Sequence, residues 1–80
     1  SPYFDKDWYL DTYDDLNGYD DPVYHYLHVG YTKGFNPGPN FSTDEYHICN
    51  PDVKEHGMNP LLHYERYGRR EQRKLSLNDI

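Results

Sequence analysis

Eighty residues allow one domain at most, and a chain this short buries only about 60–65% of its unfolded surface, so its core is small. One cysteine, Cys49, excludes an internal disulfide, and the lack of such a staple favours a reducing compartment. A net charge of −6 makes the chain a poor general partner for nucleic acid, and no apolar run approaches the roughly 20 residues of a membrane span.

Leu, Ile, Val and Phe together supply only 15 of the 80 residues, so ten tyrosines and Trp8 must carry much of the core. Each ring brings apolar area, and each hydroxyl needs a partner or water. Residues 1–40 hold seven Asp against two Lys, whereas residues 41–80 hold seven acids against six bases. No signal-peptide pattern opens the chain. It begins at Ser1-Pro2 without Met and is read as an excised piece of a longer protein.

The first helix is expected from Asp5, a good N-cap, with Phe4 and Tyr9 spaced as a hydrophobic staple. Tyr9, Tyr13 and Leu16 fall at helical spacing on one face, Asp14 and Asp15 end the element, and Asn17-Gly18 turns the chain. A second helix of about eight residues starts at Pro22, capped by Asp21, with Pro22, His25, Tyr26 and Val29 as its buried stripe. Gly30 closes it as a residue that tolerates a left-handed turn. Asn36-Pro37-Gly38-Pro39-Asn40 excludes helix and reads as a stiff connector.

The cycle then restarts. Phe41 and Tyr46 repeat the staple, and Ser42 and Glu45 have capping-box spacing. This helix stops near Asn50, because Pro51 disfavours helical geometry before it. Pro51-Asp52-Val53 enters a loop or partial helical turn. A second Pro-started helix covers 60–67, with Asn59 as cap, Pro60, His63, Tyr64 and Tyr67 as stripe, and Gly68 as close. Residues 69–74 extend as another turn, and residues 76–80 read as a frayed tail.

Phe4/Phe41, Asp7/Asp44, Tyr9/Tyr46 and Asp15/Asp52 match at an offset of 37; Pro22/Pro60, His25/His63, Tyr26/Tyr64 and Gly30/Gly68 match at 38. Eight ordered identities, with one residue of loop-length difference, point to duplication. The organisation expected is unit one over 3–35, connector 36–40, unit two over 41–73 and tail 74–80, forming one all-α domain. Neither helix pair can bury its face alone, so the two pack into a small four-helix array, and neighbouring repeats in a parent chain are expected.

Few residues suggest chemistry. Of five histidines only His25 and His28 are spaced as a zinc-ligand pair, and neither a second pair nor a partner thiol for Cys49 accompanies them. His25 and His63 occupy matched stripe positions, which fits a structural hydrogen bond to a backbone carbonyl or an Asp. Asp11, Asp14, Asp15, Asp20 and Asp21 do not fit a calcium loop, because setting Gly18 as its central glycine puts Tyr13 and Tyr24 in ligand positions. No nucleophile–base arrangement and no phosphate loop is present. Trp8 and Tyr24, with Arg69 and Arg70, are the candidate ligand-facing residues. The cations Arg66, Arg69, Arg70, Arg73 and Lys74 read first as a solvated helix end; contact with a membrane surface through Arg66 to Lys74 is the second reading.

Phe4-Asp5-x-x-Trp8-Tyr9-Leu10-x-x-Tyr13, followed by Asp21-Pro22-x-x-His25-Tyr26-Leu27-x-x-Gly30-x-x-Lys33-Gly34-x-x-Pro37-x-Pro39, resembles a tandem repeat of bacterial polysaccharide- and teichoic-acid-type glycosyltransferases. The second unit keeps Phe41, Tyr46, Pro51-Asp52-Val53, Gly57-x-Asn59-Pro60-Leu61-x-His63-Tyr64 and Gly68-x-x-Glu71-x-Arg73. His47 stands where the pattern has Leu, Asp14 where it has Pro, and Gln72 where it has Gly. The resemblance implies a non-catalytic accessory module, without cofactor, in a cytoplasmic chain peripheral to the inner membrane face. Its implied partners are the rest of the transferase and a glycan acceptor. Two alternatives stand beside it: a purely structural spacer and a metal-binding module.

Overall fold

In the computed structural model, which describes residues 1–14, 16 and 18–78, short helices account for all regular structure. They are α1 (Lys6–Thr12), α2 (Pro22–His28), a 3-10 turn (Gly30–Lys33), α3 (Thr43–Cys49), α4 (Pro51–Glu55) and α5 (Pro60–His63), which continues as a π turn (Tyr64–Gly68). Among the described residues there is no strand, only an isolated bridge between Gly38 and Phe41. No helix among them is long and apolar enough to cross a membrane. The expectations for Asp15, Asn17, Asp79 and Ile80 lie outside the described residues.

Side-chain caps start the helices as the sequence suggests. Asp5 accepts from the Trp8 amide at 3.0 Å, Asp21 from Val23, Ser42 from Glu45 and Asn59 from Leu62. Each satisfies an amide that the first turn leaves without a helical partner. The Ser42 box is one-sided, because the Glu45 carboxylate accepts from the Leu77 amide at 2.9 Å instead.

Several boundaries differ from the sequence reading. α1 ends at Thr12, and Tyr13 leaves helical geometry so that its ring stacks on Phe35 at 3.9 Å and 4°. Leu16 is buried without belonging to a helix. Pro51–Glu55 is a helix of its own, since Pro51 restrains the residue before it but suits a first helical position. Tyr67 is 47% exposed rather than on the buried stripe. Here the backbone forms a wider π turn, closed by the Arg69 amide on the Tyr64 carbonyl at 2.9 Å.

The connector and the tail are packed rather than free. Pro37 and Gly38 are buried, and the Asp5 amide donates to the Pro37 carbonyl at 3.0 Å. A Cβ on Gly38 would collide with the Tyr3 carbonyl, so this position needs glycine. The tail is held where Asn50 donates to the Lys74 carbonyl at 3.0 Å and Glu45 takes Leu77, so residues 74–77 are tied to α3.

The core is aromatic. Tyr9, Tyr26 and Tyr46 are fully buried, joined by Phe41, Leu16, Val53, Leu61 and Tyr64. Tyr26 joins the first-half helices to the second. Thr43 spends its proton on the Phe35 carbonyl at 2.6 Å, so the Tyr26 hydroxyl donates to Thr43 Oγ1 at 2.8 Å.

Candidate functional site

The residues expected to form the structural motif come together, in two separate places. In the first, the Tyr9 hydroxyl from α1 is hydrogen-bonded to His25 Nδ1 from α2 at 2.6 Å, and both residues are fully buried. In the second, the Tyr46 hydroxyl from α3 meets His63 Nδ1 from α5 at 2.9 Å. The histidine partner is therefore a phenol, not a carbonyl or an Asp. A phenol suits the place because it crosses an aromatic core and still ends in a hydrogen-bonding group.

Gly30 and Gly68 complete the two clusters, for a reason other than a left-handed turn. Neither has positive φ; that region is occupied by Gly18, Gly34, Gly57 and Gln72. A Cβ on Gly30 would overlap the Tyr9 hydroxyl, and one on Gly68 would overlap the Tyr46 hydroxyl. Each glycine is the gap into which a phenol oxygen fits. Pro22 and Pro60 are buried at the helix starts, and Tyr26 and Tyr64 flank the buried phenols.

Ring geometry matches between the clusters. Phe4–Tyr9 and Phe41–Tyr46 have centroids 5.7 and 5.5 Å apart at 29° and 31°. Tyr9–Tyr26 and Tyr46–Tyr64 lie at 6.2 and 6.0 Å with 80° and 83°. Tyr9–His25 and Tyr46–His63 lie at 5.7 and 5.9 Å.

Burial sets the proton chemistry. It disfavours the charged imidazole, so His25 and His63 are shifted below their ordinary value, with Lys33 adding to the effect at His25 and Arg73 at His63. It pushes the Tyr9 phenol upward and raises Tyr46 to about 12. Neutral phenol on neutral imidazole is thus the resting state of both clusters. His25 Nε2 is buried without a hydrogen-bond partner. Such a pair is enclosed by its own rings and offers no room for a substrate.

The candidate ligand-facing residues do not form one surface. Trp8 packs edge-on against Tyr13. Tyr24 is half-exposed and lies in a ladder between Tyr19 and His28. Arg69 pairs with Glu65 and lies over the Tyr64 ring at 5.5 Å. Arg70 is exposed. Among the described residues no three His, Cys, Asp or Glu side chains are grouped as a metal site would need.

Two features went unread in the sequence. Arg73 makes a two-pronged bond to Asp52 at 2.8 and 2.9 Å and reaches Glu71 and Asn50. The bond to Arg73 holds the Asp52 carboxyl down at about 2. Asn50 and Arg73, in contact at 3.3 Å, follow the stacked Tyr13 and Phe35 by 37 and 38 residues, and share no residue identity with them. The other feature is an open groove of about 740 Å³ between the halves, lined by Tyr31 and Thr32 on one side and Asp44, His47, Lys54 and Met58 on the other. His47, in place of the pattern's Leu, is half-buried in its wall. No family model, curated protein sequence or solved structure matches this chain.

Proposed function

We propose that the chain is a duplicated helix-pair module, units 3–35 and 41–73 about the connector 36–40, acting as a non-catalytic accessory part of a bacterial cell-surface polymer glycosyltransferase. The observation that carries this reading is the doubled Tyr–His–Gly cluster. The histidines and phenols that would be first suspects for catalysis are spent holding helices together, twice, with matching geometry. The transferase context comes from the sequence pattern, and the module's part is to keep an acceptor glycan near the catalytic domain. Tethering raises effective concentration without demanding tight contacts.

The groove between the halves is the place for that glycan. Tyr31 and Met58 offer apolar surface to a sugar ring, and Thr32, Asp44 and Lys54 offer hydroxyl-binding groups. Titration of cell-wall oligosaccharides, followed by NMR, is expected to shift Tyr31, Asp44 and Lys54. Tyr31→Ala should abolish the shifts, at a cost in stability, because the ring also packs on the core and its hydroxyl donates to the Gly57 carbonyl at 3.2 Å. Lys54→Ala, at an exposed position, should weaken them without that cost. Absence of shifts in the groove, together with full transferase activity when an inert linker of equal length replaces the module, would establish the spacer reading instead.

A further inference from the structure

The groove between the halves carries groups that a plain hydroxylated sugar leaves unused. Tyr31, Ile48, Pro51 and Met58 give it an apolar wall, and Ile48 is 62% exposed. Asp44 and Lys54 bring a carboxylate and an ammonium group to the same space. The Tyr31 hydroxyl, from the first half, donates to the Gly57 carbonyl of the second at 3.2 Å and ties the two walls together at that end. The volume of about 740 Å³ suits a ligand of one or two sugar rings.

The two charges stand on different elements, Asp44 in the first turn of α3 and Lys54 in α4. Asp44 lies at the seam, where a Cβ on Gly34 would stand 3.3 Å from both of its carboxylate oxygens. Among the described residues neither Asp44 nor Lys54 takes part in an ion pair. Both are felt by His47 in the same wall. Burial holds its imidazole below the ordinary value, Lys54 lowers it further, and Asp44 raises it. The ring is therefore uncharged at neutral pH, and the groove presents one negative and one positive group, each unpaired.

We propose that the groove selects an N-acetylhexosamine, a sugar with an acetamido group next to its anomeric carbon. This rests on the glycan reading of the same groove and names the sugar. An acetamido group is a planar amide whose N–H and carbonyl point to opposite sides. The N–H suits the Asp44 carboxylate and the carbonyl suits the Lys54 ammonium group, and hydrogen bonds to charged partners are the stronger kind. The methyl group covers apolar surface that Ile48 and Met58 otherwise leave to water. A plain hexose has neither the N–H nor the methyl group. A free amino sugar offers no carbonyl, and its positive charge is opposed by Lys54.

The test uses the full chain and a series of disaccharides with the same linkage and ring geometry: N,N′-diacetylchitobiose, its deacetylated form and cellobiose. They differ only in the acetamido, amino or hydroxyl group. NMR follows the Asp44 and Lys54 amides and the Ile48 and Met58 methyl groups. Diacetylchitobiose is expected to bind about fivefold more tightly than either relative, the worth of about one net hydrogen bond. D44A should erase the preference over cellobiose. D7A removes the exposed carboxylate 37 residues earlier, outside the groove, and should change nothing. Equal binding of the series, tightest binding of the free amine, or a preference that survives D44A would overturn the proposal and leave the glycan reading standing. Shifts with other cell-wall oligosaccharides but none with this series would do the same. No shift with any sugar would overturn both. If D44A fails to fold, the series on the native chain still decides between these outcomes.

Discussion

A single oxygen atom sets the requirement at Gly30 and at Gly68. Each glycine leaves the space that a buried phenol fills, and each phenol satisfies a buried imidazole. Tyr9→Phe leaves His25 Nδ1 buried without a partner and should cost about 1–3 kcal/mol. Gly30→Ala should cost about as much by overpacking. In the double variant the missing hydroxyl makes room for the new methyl group. Its loss should therefore be smaller than the two single losses combined, as read by urea denaturation in a double-mutant cycle.

The same residues give stability a defined dependence on pH. Both histidines sit below the ordinary imidazole value of 6.5 in the folded chain. Between those depressed values and 6.5 the unfolded chain binds more protons, so stability is full above pH 6.5 and declines as pH falls below it. Asp52 acts lower: its contribution is present above 3.8 and is lost as pH falls toward about 2. Thermal melts from pH 7 to pH 5 should show a falling Tm for the native chain. H25N/H63N should show a flatter profile, because an amide can accept the phenol proton but does not titrate.

At the scale of elements, the second half carries a strain that the first half avoids. Gly34 ends the 3-10 turn at φ 79°, and the residue 38 places later is Gln72 at φ 57°. A side chain in that region crowds the following carbonyl at a cost of about 1–2 kcal/mol, which glycine escapes. Glycine also enlarges the unfolded ensemble, which offsets part of the gain. Gln72→Gly should raise stability by about 0.5–1 kcal/mol. For a chain this size that is roughly 3–6 °C in Tm by calorimetry. The departure from Gly was visible in the sequence, but its consequence depends on the backbone angle.

Over the whole molecule, neither half closes its own core. Thr43 links them, accepting from Tyr26 and donating to Phe35. Thr43→Val keeps the shape but strands the buried Tyr26 hydroxyl and the part-buried Phe35 carbonyl and should cost about 1–3 kcal/mol. Thr43→Ser keeps the hydroxyl and should cost less than about 1 kcal/mol. Equal losses in the two variants, measured by chemical denaturation, would show that the methyl group matters and the bond does not.

The sequence by itself determined four of the helix starts, at Asp5, Asp21, Ser42 and Asn59, and that aromatic rings form much of the core. Caps, Pro at first helical positions and ring spacing act over one or two turns, so local order along the chain suffices to read them. What the rings touch was decided only by the tertiary structure. Tyr9 and His25 lie 16 residues apart, and nothing in their spacing names one as the other's partner. The same holds for Gly30 and Gly68, whose use as gaps rather than turns depends on where a distant hydroxyl arrives. It holds again for Arg73, whose partner Asp52 lies 21 residues away. Contacts between segments are set by how helices pack, and packing is a property of the assembled core.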